Sequence, residues 1–135
     1  KGSFMAGSDI FLKNGFGLVD KAAPDFELAA LILKEGSPPP RFKPGWDLRL
    51  QPYAHGLHII RTDQCPYTIK NVREIVETAE KDYSLKIKVT TLNNHREAQD
   101  SPSPFGTFCI VYNGIILTHH PISRRRFMNI MDSLA

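Results

Sequence analysis

The spacing of apolar side chains changes period twice between residues 57 and 90, and this restricts the chain to a small set of folds. Leu57, Ile59 and Ile60 belong to a short run of strand length, residues 57–61. From Pro66 the apolar positions Ile69, Val72, Ile75, Val76, Ala79 and Tyr83 recur at three- and four-residue intervals. That spacing predicts a helix of about four to five turns, with Pro66 suited to its first turn. Leu85, Ile87 and Val89 then alternate with Lys86, Lys88 and Thr90, the mark of a second strand with one wet face. A strand, a helix and a strand in this order predict a parallel pair joined by a right-handed crossover.

The pattern continues in short elements. A polar, helical turn is expected around residues 94–99, followed by the break Ser101, Pro102, Ser103 and Pro104. Residues 107–112 and 115–118 flank Asn113 and Gly114, the strongest short hairpin signal. Ser123 is placed to cap a last helix whose Phe127, Ile130, Met131 and Leu134 share one stripe. Arg73 with Glu77, and Glu77 with Lys81, have the spacing of ion pairs on the wet face of the long helix. The whole reads as α/β, with a central mixed sheet and helices covering both faces.

The N-terminal third is patterned less fully. Lys1, Gly2 and Ser3 precede a short apolar pattern, Phe4, Met5, Ile10, Phe11 and Leu12, which leaves no room for a preceding core-building element, and the chain reads as a fragment. Ser8 or Asp9 is placed to cap a short helix through Lys13, and Asn14 and Gly15 supply its left-handed termination. Strand-like runs follow at 16–20 and 26–33, broken by Ala23, Pro24 and Asp25. A helix and two strands of this size bury too little surface to stand alone. Prolines 38, 39, 40, 44 and 52 make residues 34–56 a linker without regular helix or interior strand. Phe42, Trp46, Leu48, Leu50 and Tyr53 are too apolar for a free tether, so the linker should lie packed. The expected organisation is therefore 1–33, 34–56 and 57–135.

Charge and cysteine content exclude some classes. The net charge of +3 is spread evenly, with seven basic and six acidic residues before Leu57 and ten and eight after it. No basic patch of the kind that binds nucleic acid results. There is no apolar run of transmembrane length and no secretory h-region, so no membrane partner is expected. With only Cys65 and Cys109 present, a cytoplasmic, reducing location is the expectation.

The residues that carry chemistry cluster where the first strand gives way to the long helix, at Cys65, Pro66, Tyr67 and Thr68 (CPYT). A cysteine at a helix N-terminus meets free amide donors and partial positive charge, which favour thiolate over thiol. Cys65 is thus a candidate nucleophile, or else a small residue kept for structure. A dithiol site would need a second cysteine at position 68, where Thr68 stands, so release as an internal disulfide is not available. Asp63 and Gln64 either tie the turn or contact a ligand. Cys109 lies in an apolar run and reads as core. His119 and His120 are adjacent, and adjacent residues on a strand point to opposite faces, which disfavours chelation; a strand-end or loop role is expected, and no metal site. Arg124, Arg125 and Arg126 open the last helix as a solvated start or an anion contact.

These residues carry family resemblances. The element order from residue 57 is thioredoxin-like, and CPYT resembles the CPYC of dithiol glutaredoxins. Aligning Asn113 and Gly114 with the thioredoxin hairpin puts Gly106 where that family carries a cis-proline, with Pro104 two residues earlier. FLKNGF (residues 11–16), Val19, Asp20, Pro24 and FEL (26–28) resemble the end of a GNAT N-acetyltransferase domain. DQCPY (63–67), SPSPFG (101–106), YNG (112–114) and RFMNIM (126–131), with PRFK (40–43), resemble the YoaP-like domain fused behind such enzymes.

The resemblance implies acetyl transfer from acetyl-CoA to an amine, with a partial GNAT segment preceding a thioredoxin-like domain. The Gln or Arg, x, x, Gly, x, Gly or Ala loop that holds pyrophosphate in GNAT domains is absent from this sequence. The partners implied are therefore the N-terminal acetyltransferase portion and an amine substrate or protein. These would be recognised beside Asp63, Gln64, Pro66, Tyr67, Thr68, Pro104, Phe105 and Gly106. The alternative is a monothiol glutaredoxin-like oxidoreductase acting through Cys65.

Overall fold

The computed structural model describes residues 7–134, so the apolar positions Phe4 and Met5 lie outside the described residues. The chain divides into two compact units, one ending at Leu48 and the other beginning at Arg49.

The first unit holds a short helix, α1 (Ser8–Lys13), and an antiparallel pair, β1 (Gly17–Ala22) and β2 (Phe26–Ala30). Neither Ser8 nor Asp9 caps α1. Gly7 occupies the cap position with extended backbone, and no side chain accepts from the first turn. The expected stop is present: Gly15 has φ +84, and the Asn14 side-chain NH₂ donates to the Ile10 carbonyl at 2.7 Å. β2 ends at Ala30, so Leu31, Ile32 and Leu33 continue the apolar run outside the strand, and all three are exposed. The first half of the proline-rich stretch packs on this pair. The Phe42 amide donates to Asp20 at 2.9 Å, and the Trp46 indole donates to the Ala23 carbonyl at 2.9 Å. The Trp46 ring meets Phe42 and Phe26 edge-on, at 4.9 and 5.7 Å between centroids. Even so, no described residue before Arg49 is buried, and Ile10, Phe11, Leu12 and Leu18 are exposed.

The second unit is a four-stranded mixed sheet flanked by helices, with strand order β4-β3-β5-β6. Its elements are β3 (Leu57–Arg61), α2 (Pro66–Asp82), β4 (Ile87–Thr91), α3 (His95–Asp100), β5 (Cys109–Tyr112), β6 (Ile115–Thr118) and α4 (Arg124–Asp132). β3 and β4 are parallel, as a helical crossover requires, while β5 is antiparallel to both β3 and β6. Asn113 (φ +47) and Gly114 (φ +78) both take positive φ, the two-residue turn that suits the twist of a hairpin. Asn113 also accepts from the Gly56 amide at 2.8 Å and so ties the hairpin to the start of β3.

Alternation along β3 and β5 divides the interior. Leu57, Ile59, Phe108 and Ile110 face Val72, Ile75 and Ala79 of α2, and Ile122, Phe127 and Met131 at α4. The expected cap on α4 is present, with the Arg126 amide donating to the Ser123 hydroxyl at 3.3 Å, but Leu134 lies beyond the helix and is exposed.

The other face departs from the expectation of helices on both sides. Ile60, Cys109 and Val111 are covered by Leu50 and Tyr53 of a 3-10 turn, with Leu92 and Ile116. The pattern-free proline stretch thus supplies a layer that a helix would otherwise form. Arg49 fixes it by donating to the Ser101 and Gln99 carbonyls at 2.8 and 3.0 Å, next to the short α3. Within α2 the observed ion pair is Lys70 with Glu74 at 3.9 Å, and Asp82 at its end pairs with Arg124 of α4 at 3.3 Å; the Arg73–Glu77 and Glu77–Lys81 pairs do not form among the described residues. Such exposed pairs are worth a few tenths of a kcal/mol, ~0.2–0.5, too little to hold long side chains in place. Val89 of β4 is also more exposed than its alternation suggests, because β4 is an edge strand.

Candidate functional site

The parallel strands β3 and β4 end side by side at Arg61 and Thr91, and the segments leaving them open a groove. It is lined by Thr62, Asp63 and Gln64 after β3, by Thr91 at the end of β4 with Leu92, Asn93 and Asn94 after it, and by His95, Ala98 and Thr107, with a volume of ≈ 580 Å³. The carboxyl ends of parallel strands are the usual ligand position of open α/β sheets, because diverging connections leave a crevice there. Thr62 donates to the Thr107 hydroxyl at 3.1 Å, which joins the β3 exit to the segment entering β5. Arg61 pairs with Asp63 through one carboxylate oxygen. On the opposite wall Asn94 accepts from the Arg96 and Glu97 amides at 3.0 Å each, while Glu97 receives the Asn93 amide at 2.7 Å and the Asn94 side chain at 2.7 Å. This reciprocal cap makes a rigid wall out of a six-residue helix.

Cys65 follows Gln64 as the N-cap residue of α2, extended and exposed. The amides of Thr68 and Tyr67 hold its thiol below the ordinary pKa, although neither makes a full capping hydrogen bond to the sulfur. The Thr68 amide bonds the Cys65 carbonyl at 3.0 Å. Thr68, where a resolving cysteine would stand, is buried, whereas Tyr67 is 77% exposed. Cys109 is fully buried, and burial pushes its thiol up to about 12. Both cysteines are free.

A further loop at the same sheet end carries Pro104, Phe105 and Gly106. Its buried Ser103 hydroxyl lies 3.0 Å from His119 Nδ1 and accepts from the Phe105 amide at 3.3 Å. The Phe105 ring packs edge-on against the His119 ring at 4.9 Å, so Phe105 is fixed while half exposed. Burial, then the neighbouring His120, lowers the His119 pKa. Gly106 is exposed with φ +150, and the one cis peptide among the described residues is Ala23–Pro24, so Pro104 is trans.

Of the residues singled out from sequence, Asp63 and Gln64 line the groove; Cys65, Pro66, Tyr67, Thr68, Pro104, Phe105 and Gly106 do not. Thr62, Thr91, Asn93, Asn94, His95 and Thr107 join them from outside the motif. Only the break before β5 and the polar stretch after β4 hinted at these. No group of three or more His, Cys, Asp or Glu among the described residues could hold a metal ion, and no described helix is long and apolar enough to cross a membrane. The groove itself offers no charged partner for the pyrophosphate of acetyl-CoA. No Lys or Arg lines the groove, and no glycine-rich loop leads into a helix to cradle a pyrophosphate.

Comparison with known proteins gives the site a context. A family model described as YoaP-like matches residues 86–129, from the start of β4 into α4. The chain is 29% identical over 133 residues to a Bacillus subtilis (strain 168) protein named uncharacterized N-acetyltransferase YoaP, an alignment covering 98% of this chain and 52% of that one. The chain thus spans about half the length of the curated relative it matches. No solved structure matches. By both comparisons the chain is similar to an N-acetyltransferase-related group.

Proposed function

We propose that this chain is the C-terminal part of a GNAT-type N-acetyltransferase. Its second unit is a thioredoxin-like recognition module, and its first unit a docking segment for the acetyltransferase portion. The observation that carries the reading is the similarity of 98% of the chain to about half of a protein named as an N-acetyltransferase. Two features support the division of roles. The first unit has a two-stranded sheet, no buried residue among those described, and exposed Ile10, Phe11, Leu12, Leu18, Leu31, Ile32 and Leu33. A two-stranded hairpin of this kind is marginal without a further surface against it. The second unit has its own core and a four-stranded mixed sheet in the order β4-β3-β5-β6, which supports the thioredoxin-like reading.

In this reading acetyl-CoA belongs to the acetyltransferase portion. The chain alone neither binds it at micromolar concentration nor transfers acetyl groups. Joining the chain to the part of the relative that it does not match should restore acetyl-CoA binding in calorimetry. Failure of the joined protein to bind acetyl-CoA removes the reading.

A second reading, monothiol exchange through Cys65, rests on one observation, the lowered thiol pKa. Glutathione-dependent turnover that disappears in Cys65→Ser would favour it over recognition. Absence of turnover in the parent chain removes it.

A further inference from the structure

The groove at the ends of β3 and β4 has a chemistry of its own, and its biological meaning rests on the acetyl-transfer reading. We propose that it binds a small primary amine in its ammonium form, the acetyl acceptor, with Asp63 as the counter-charge.

Among the lining residues Asp63 is the only carboxylate, and there is no Lys or Arg, so phosphates and other anions have no partner. Arg61 engages one oxygen of Asp63 and leaves the other on a carboxylate that is 58% exposed. The remaining hydrogen-bonding capacity is rich in acceptors. The Asn93 side-chain NH₂ is taken by the Thr91 carbonyl at 3.1 Å and faces Glu97 at 3.4 Å, which leaves its oxygen free to accept. The Gln64 side chain and the His95 ring make no hydrogen bond within the described residues, and each can offer an acceptor. An ammonium carries three donors and no acceptor, the complement of this set. Leu92 and Ala98 are half-buried in the lining and provide a short apolar strip for a hydrocarbon stem. The volume of ≈ 580 Å³ lies within the roughly 300–1,000 Å³ of small-molecule sites. Arg61 stays beside Asp63 and offsets part of the attraction, so binding should be weak and fall with added salt.

The test is a titration of the full 135-residue chain with n-butylammonium chloride and with n-butanol, its uncharged counterpart, followed by amide NMR shifts. The expected result is saturable shifts at residues 62–64 and 91–95 with the amine alone. Asp63→Asn should weaken binding roughly tenfold, the scale of one charged hydrogen bond, and Gln64→Glu should tighten it. Glu77→Gln, at an α2 carboxylate outside the groove lining, should leave it unchanged. Equal shifts with butanol, shifts scattered over many surface carboxylates, or undiminished binding in Asp63→Asn would overturn the proposal. Failure of the groove is distinguishable from failure of the enzyme reading. Amine shifts here without acetyl transfer by the joined protein leave the site standing. Acetyl transfer without amine shifts removes the site alone.

Discussion

Phe127→Ala tests most sharply the claim that one unit has a core and the other does not. Phe127 is fully buried among Leu57, Ile59, Ile75 and Met131, with the Tyr83 ring edge-on at 6.1 Å. Losing a buried aromatic forfeits ~1.5–3 kcal/mol of transfer free energy. The cavity left between α2, α4 and the sheet raises the total to ~3–5 kcal/mol. Domains are stable by only about 5–15 kcal/mol, so this removes about a third to a half of a margin in the middle of that range. In a domain of 60–100 residues each kcal/mol moves the midpoint by about 4–8 °C, so the Tm should fall by more than about 10 °C. The assay is thermal unfolding followed by circular dichroism, with Leu33→Ser as the paired control. Leu33 is 89% exposed, and its replacement should change stability by less than about 0.5 kcal/mol. A Tm within two or three degrees of the parent for Phe127→Ala, or a comparable loss for Leu33→Ser, would refute the packing argument.

Three other outcomes are expected. Alkylation of Cys65 should follow an apparent pKa below that of a free thiol, while Cys109, pushed up to about 12, should react only after unfolding; mass mapping across pH separates the two. Because the folded pKa of Cys65 lies below the unfolded one, its thiolate stabilises the fold above the unfolded pKa. That contribution is lost as pH falls through the folded value. The Tyr83 hydroxyl donates to Asp132 at 2.6 Å, and this bond pushes its pKa up to about 12. The unfolded chain releases that proton first, so the contribution is present below the unfolded pKa and fades as pH rises toward 12. Ultraviolet titration should show Tyr83 titrating late, beside Tyr53, whose pKa burial also raises, and Asp132→Asn should return Tyr83 alone toward the usual range. Asn94→Ala should cost ~0.5–2 kcal/mol by removing the α3 cap. It should also release the groove wall, read as faster hydrogen exchange at Arg96 and Glu97.

The parts of the fold that local chemistry determines were legible from the sequence. The three- and four-residue spacing from Ile69 to Tyr83 marked α2, Asn113 and Gly114 marked the hairpin, and Ser123 marked the start of α4. The second sheet face was not legible. Leu50 and Tyr53 have no periodicity among prolines, and only the completed sheet creates the surface they cover. The cap at α1 failed for a related reason: Ser8 and Asp9 are both able to cap, but Gly7 takes the position and nothing downstream requires a side-chain acceptor. At the candidate site, Cys65, Asp63 and Gln64 stood out because residues at a helix start have a chemical signature. Thr62 with Thr107, and Ser103 with His119, are joined across 45 and 16 residues by topology alone. Neither pair has a local pattern that could have announced it.

In the proposed function this chain contributes recognition and docking surfaces but not the acetyl-CoA site. Calorimetric titration of the purified chain with acetyl-CoA tests it most directly, beside the same titration of the chain joined to the unmatched half of its relative. No heat of binding is expected for the chain alone, and micromolar binding for the joined protein. Micromolar binding by the chain alone would contradict it.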